Sequence, residues 1–133
     1  MLKIFKIFII IIAALCEFAA LNLAKILNLN LSFNYGISFG IFNNFKYAAL
    51  MLSGLSLIII LCCVRLKFKD YKINLALALM AGGAAANFIE RVYLGYVIDY
   101  INIFDLNILN LADIEIISGC LTALYLFYTR KEI

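Results

Sequence analysis

Four long uncharged or nearly uncharged stretches organise the chain. Ile7 to Ala24 is apolar apart from Glu17 and Asn22. Tyr47 to Val64 and Ile73 to Ile89 carry no charge. Ile116 to Thr129 carries none either, and its apolar character extends back to Leu111. A helix crosses a bilayer with ~20 apolar residues, in a range of about 17–25. The pattern predicts four transmembrane helices, with the third and fourth at the short end of that range. Between the first two, the period changes. Leu29, Leu31, Phe33, Tyr35, Ile37, Phe39 and Ile41 alternate with Asn30, Ser32, Asn34, Gly36, Ser38 and Gly40. Period two predicts a half-buried β-strand. Unpaired strand backbone is not tolerated in lipid, so this segment is expected to pack on protein, its small polar face over a site. A surface segment resting on lipid is the plainer alternative.

Composition agrees with the pattern. The chain has 133 residues, of which 67% are hydrophobic and 14% charged. An ordinary soluble domain has roughly 45–50% and 25%. Mean hydropathy is +1.07. A water-soluble fold this small leaves much of its surface in water and has nowhere to hide so much apolar area. Soluble enzymes and disordered chains are excluded on this ground. The net charge of +3 comes with only 11 basic residues and no basic face, which excludes a nucleic-acid partner. No histidine is present, so metal centres and His-based triads are not expected. Cys16, Cys62, Cys63 and Cys120 all lie in apolar runs and read as inert thiols.

Basic residues set the expected orientation. Lys3, Lys6, Arg65, Lys67, Lys69, Lys72, Arg130 and Lys131 fall on one side of the spans; Lys25, Lys46 and Arg91 fall on the other. Both termini should then be cytoplasmic, with segments 25–46 and 90–112 facing outward. Lys3, Lys6 and the apolar run up to Cys16 have the look of a lipoprotein signal peptide. Leu15 before the cysteine, and an apolar run that continues to Ala24, favour an uncleaved first span.

Ionisable residues at membrane depth are costly and mark function by default. The candidates are Glu17, Glu90, Asp99, Asp113 and Glu115. Asp70 and Glu132 sit among bases and read as solvated partners; Asp105 reads as surface. Asn87, Glu90 and Arg91 share one helical face. They form either a site or an interfacial polar cluster with Arg91 as anchor. Ala81 to Ala86, all Ala and Gly, permits a close helix neighbour. Asp113 opens the fourth span with Asn110 one turn before it; capping alone would account for an acid there. Asp99 lies between apolar residues. If Asp99 and Asp113 meet, repulsion raises one pKa, and one site then holds a base and an acid. Glu115 is roughly opposite Asp113 on the helix.

Several of these stretches, taken together, resemble the lipoprotein signal peptidases, the signal peptidase II family. Asn34-Tyr35-Gly36-Ile37-Ser38-Phe39-Gly40 is similar to the family's N-x-G-x-A-F block, and Gly82 to Arg91 to its G-G-x-x-G-N-x-x-D-R block. Gly95-Tyr96-Val97-Ile98-Asp99-Tyr100 resembles G-x-V-V-D-F, and Asn110-Leu111-Ala112-Asp113 resembles N-x-A-D. The blocks occur in family order and cover most of residues 17–120. The resemblance implies an all-α membrane protein of four helices with a small outward β-element, forming a single peptidase domain over residues 1–133. It implies a catalytic pair, Asp99 and Asp113, with Asn34, Gly36, Asn87, Glu90, Arg91 and Asn110 shaping the site and holding substrate. The implied substrate is a prolipoprotein, cut just before a diacylglyceryl-modified cysteine by an activated water, without metal or other cofactor. The implied place is the bacterial inner membrane, with the site near its outer face and open to the antibiotic globomycin.

The chain departs from these patterns at several positions. Glu90 stands for the usual Asp and Ala86 for a Gly. The D-Q-x-x-K block of the first span is reduced to Lys25, with Leu21 and Asn22 before it and Glu17 as a replacement acid. Ile114 replaces a small residue, Glu115 is unusual, and the outward loops are short. Two other readings follow from these features. One is a non-catalytic binder of lipidated peptides; the other is a small proton- or ion-conducting subunit using Glu17, Glu90 and Asp113.

Overall fold

A computed structural model describes residues 2–36, 46–66, 68–104 and 106–130. Four helices are long and apolar enough to cross a membrane. They are α1 (Leu2–Ile26), α2 (Lys46–Arg65), α3 (Tyr71–Leu94) and α4 (Leu111–Arg130). Each contains the corresponding apolar run. Alongside them stand β1 (Ser32–Asn34), β2 (Val97–Asp99), β3 (Ile101–Ile103) and β4 (Leu106–Leu109).

α3 is the central helix, packed on α1, α2 and α4. Two-thirds (67%) of its most apolar window is buried, against 22% for α1, 11% for α2 and 28% for α4. Glycine makes this possible. A Cβ on Gly82 would lie 2.3 Å from Ala13 Cβ of α1, and one on Gly83 would lie 2.4 Å from the Ala112 carbonyl oxygen of α4. Gly119 of α4 fits as closely against Met80 and the Ala76 carbonyl. In lipid, association of helices rests on such close contact, because burying Leu or Ile gains little over exposing it to acyl chains. Large side chains accordingly point outward: Ile4, Phe8, Leu15, Met51, Ile58 and Leu121 are all exposed. The inner face of α1 is instead Lys6, Ala13, Glu17, Leu21 and Ala24.

α3 is longer than its apolar run. Glu90 and Arg91 do not close it: the helix continues to Leu94 and ends at Gly95, whose φ of 82° is the left-handed conformation that glycine adopts without strain. The two charges are buried against the β-element and therefore sit inside the helix. The third span is thus a long one, at 24 residues, rather than short.

β1 pairs antiparallel with β2, with Ser32 opposite Asp99 and Asn34 opposite Val97. β3 and β4 form a separate antiparallel hairpin. The alternation expected over 29–41 therefore yields a paired strand at Ser32–Asn34; its positions 37–41 lie outside the described residues, as does Asp105. The polar face is turned inward: Asn34 is buried, whereas Phe33 and Tyr35 are exposed. Tyr96 packs edge-on against both of those rings, at 5.2 Å and 5.1 Å between centroids.

Candidate active site

Asp99 ends β2, and the sheet register decides what it meets. Ser32, Asn34, Val97 and Asp99 share one face of the β1–β2 pair. Asn34 is diagonal to Asp99, within reach of a side-chain contact. Its Nδ2 donates to Asp99 Oδ2 at 3.0 Å, while its Oδ1 accepts from Gly36 N at 3.0 Å. Asp99 is 2% exposed, and its Oδ1 has no hydrogen-bond partner.

Asp113 lies in the first turn of α4, where backbone N–H groups lack intrahelical acceptors. Side chains from α1 and from the residues that follow β2 and β4 supply them. Leu111 N donates to Tyr100 Oη at 3.1 Å. Ala112 N donates to Glu17 Oε2 at 2.8 Å, and Tyr100 Oη–H donates to that same oxygen at 3.0 Å. Asp113 N donates to Asn110 Oδ1 at 2.8 Å, an N-cap bond. The helix end that carries Asp113 is thereby tied to α1 and to the residue that follows Asp99.

α3 connects the two carboxylates. Asn87 Nδ2 donates to Asp113 Oδ1 at 2.8 Å, and Asn87 Oδ1 accepts from Asn110 Nδ2 at 2.9 Å. One turn on, Arg91 donates through Nη2 to Gly36 O at 2.9 Å and through Nη1 to Asn87 O at 3.4 Å. Its guanidinium lies in the fields of Asp113, Asp99 and Glu90. Glu90 turns the other way, its Oε2 accepting from Ile98 N at 3.0 Å and so holding β2 beside Asp99. Burial pushes the Asp99 carboxyl up to about 6, and the charge of Asp113 adds to the rise; the Asn34 hydrogen bond and Arg91 oppose it.

A cavity of about 390 Å3 opens between α2 and α4 with α3 as its floor. Among the described residues, Asn34, Ser53, Ser56, Asn87, Arg91 and Asp113 form its polar lining, Ala49, Leu52 and Ile60 of α2 contribute to its apolar side, and Asp99 lies behind Asn34 rather than in the lining. A peptide bond placed there would have a carboxylate, amide donors and a guanidinium around it. Among the described residues, no three His, Cys, Asp or Glu side chains are grouped so as to hold a metal ion.

All eight residues singled out from the sequence motifs gather at this end of the bundle. Glu115 does not join them. It is buried one turn of α3 away from Asn87, against the Gly83 position and in the field of Glu17. Two features were not read from the sequence: the hydroxyl of Tyr100 and the part Glu17 plays under α4. The only signal for Tyr100 was a tyrosine at the position where the G-x-V-V-D-F block has phenylalanine.

Known proteins share both the sequence and the fold. The sequence profile described as Signal peptidase (SPase) II matches residues 3–129. The lipoprotein signal peptidase of Haemophilus ducreyi is 34% identical over 125 residues, covering 86% of this chain and 78% of its own. That of Francisella tularensis subsp. mediasiatica is 35% identical over 154 aligned positions, covering 98% and 96%. That of Buchnera aphidicola subsp. Baizongia pistaciae is 33% identical over 114 residues, covering 77% and 69%. A bacterial membrane enzyme solved in meso at 2.3 Å superposes with a TM-score of 0.76 at 20% identity, over 95% of this chain and 90% of that one, which supports the fold. With a profile that runs from α1 to the end of α4 and relatives matched over most of their length, this multi-pass membrane protein belongs to the signal peptidase II family, the aspartic endopeptidases that remove signal peptides from prolipoproteins.

Proposed function

We propose that Asp99 and Asp113 are the catalytic pair of this peptidase, and that Asn34, Gly36, Asn87, Glu90, Arg91 and Asn110 hold them and the substrate. One observation carries the proposal. Each aspartate accepts a hydrogen bond from its own buried asparagine, and Arg91 lies in the field of both. The pair works with one carboxyl ionised and one protonated, and titrates as a unit. The ionised carboxylate takes a proton from water as its oxygen bonds to the scissile carbonyl carbon. The protonated carboxyl gives its proton to the carbonyl oxygen. As the tetrahedral centre collapses, the C–N bond breaks, the departing nitrogen takes up the proton first removed from water, and one hydroxyl of the centre returns its proton to the other carboxylate as the new C=O forms. Arg91 and the asparagine amides are the fixed dipoles and charge around that centre.

The bond cut precedes a diacylglyceryl-modified cysteine. Acyl chains leave the bilayer at a cost of about 0.8 kcal/mol per CH₂, so the substrate reaches the cavity laterally, between α2 and α4. The site faces outward from the bacterial inner membrane, with both chain termini cytoplasmic; the excess of Lys and Arg at the opposite end of the bundle supports this. A globomycin-type peptide occupies the same cavity. All the proposed site residues belong to a single peptidase domain over residues 1–133.

Glu90 in place of aspartate leaves the site assembled. Its longer side chain reaches the Ile98 amide and so keeps β2 in place. The test is release of signal peptide from a diacylglyceryl-modified prolipoprotein by purified protein in detergent. Release should occur, be blocked by globomycin and disappear in Asp99→Asn. Binding of substrate without release by the folded wild-type protein would point instead to a non-catalytic binder.

A further inference from the structure

The opposite end of the bundle carries a second cleft, unrelated to the aspartates. It lies between the start of α1 and the end of α2, with a volume of about 620 Å3. Its lining is Lys3, Lys6, Ile7 and Ile10 from α1, and Leu61, Val64 and Arg65 from α2. Among the described residues, three cations and four apolar side chains make up that lining, with no acid. The size lies within the range of ligand pockets, about 300–1,000 Å3.

The cleft follows from how the helices pack. α1 and α2 each pack far more extensively on α3 than on one another. Lys6 bridges the gap at its mouth. This residue is 5% exposed, and its Nζ donates to Val64 O at 2.7 Å and Leu66 O at 2.9 Å, the unsatisfied carbonyls at the end of α2. An ammonium has three donors, so one remains. Lys3 and Arg65 are exposed beside it. From Lys3 to Ile10 the α1 wall runs ~10 Å along the membrane normal, at about 1.5 Å per residue. Cations stand at one end of that wall and only aliphatic side chains below.

We propose that this cleft binds one anionic phospholipid, its phosphate among Lys3, Lys6 and Arg65 and an acyl chain along Ile7, Ile10, Leu61 and Val64. An apolar groove at membrane depth is filled by hydrocarbon, since water there has no hydrogen-bonding partner. The charge at its mouth selects the headgroup. A basic residue near the surface favours an anionic lipid roughly fivefold. A free phosphate would use the cations and leave the apolar wall uncovered; a zwitterionic lipid would use the wall and bring its own cation to the lysines. The bound lipid would brace α1 against α2 at the end remote from the peptidase site.

The full-length protein, in detergent with equal amounts of phosphatidylglycerol and phosphatidylethanolamine, is examined by native mass spectrometry. One phosphatidylglycerol per chain should be retained in preference to phosphatidylethanolamine. Lys3→Gln with Arg65→Gln, both exposed positions that leave the Lys6 bonds intact, should lower that retention at least tenfold. Lys69→Gln with Lys72→Gln, exposed bases outside the cleft, should leave it unchanged. Phosphatidylglycerol should raise the melting temperature of the wild-type protein, and inorganic phosphate should not. Equal retention of the two lipids would overturn the proposal. So would undiminished retention in the Lys3/Arg65 variant, an equal loss in the Lys69/Lys72 control, an equal thermal shift from phosphate alone, or a second copy of the chain in place of the lipid.

Discussion

Asp99 is held by one asparagine through one oxygen while its other oxygen is buried without a partner, and this has a consequence for stability. Its carboxyl pKa is raised from 3.8 to about 6 on folding. A group whose folded pKa is raised contributes stability below its unfolded pKa and loses that contribution as pH rises through the folded value. Relative to its protonated state below pH 4, Asp99 therefore weakens the fold as pH rises toward 6, and the loss is complete above that. Asp99→Asn keeps the acceptor for Asn34 and removes the charge. It should stabilise the protein by on the order of 2 kcal/mol at pH 8 and change little at pH 4, read by thermal unfolding in detergent. An equal shift at both pH values would contradict the burial argument. Tyr100 is the second residue of interest. Tyr100→Phe leaves the Leu111 amide without its acceptor, at a cost of about 1–3 kcal/mol, and loosens the helix end that carries Asp113. Turnover should fall while substrate KM stays near the wild-type value. Glu17→Gln retains an acceptor for Ala112 N and Tyr100 and should be milder than Glu17→Ala in both stability and turnover.

At the scale of elements, α3 positions the site by proximity to its neighbours. Gly83→Ala would force a methyl to within 2.4 Å of the Ala112 carbonyl, directly before Asp113. Backbone cannot yield as a side chain can, so the variant should lose more than about 1 kcal/mol and much of its activity. Gly54→Ala meets only the edge of the Phe88 ring at 3.1 Å and should be milder. Parallel thermal melts and cleavage rates of the two variants check the order. Much of this architecture was legible in the sequence, because four long apolar runs and a Gly/Ala segment are unambiguous signals in a membrane protein. The inward polar face of β1 was legible from its alternation. The end of α3 was not, because Glu90 and Arg91 resemble an interfacial boundary and are instead buried by bonds to Ile98 N and Gly36 O, which lie far away in sequence or beyond the helix end. The β3–β4 hairpin was also missed. No Asn-Gly or Asp-Gly marks its turn, which uses Phe104 at a φ of 51°. Of the site, the residue types were legible and their pairing was not: that Asn34 serves Asp99 and Asn87 serves Asp113 depends on strand register and helix packing.

At the scale of the molecule, small and polar side chains and a few aliphatics such as Ile73 and Leu77 face inward while most large apolar ones face lipid, so the bilayer, not water, completes the fold. The same bilayer holds the substrate's acyl chains beside the cavity. A prolipoprotein lacking the diacylglyceryl group should accordingly be cut far more slowly, seen chiefly as a raised KM. The proposed orientation predicts that a reporter fused after residue 133 and active only outside the cytoplasm stays silent in bacterial cells. The central claim is that Asp99 and Asp113 act together on one bond. It is tested most directly by kcat/KM on a diacylglyceryl-modified prolipoprotein for Asp99→Asn, Asp113→Asn and the double variant, each shown to be folded. Groups that work as a unit lose their effect together. Each single variant should fall by at least about 10³-fold, and the double variant no further than the singles. Substantial cleavage by either single variant, or losses that multiply in the double, would contradict the pair.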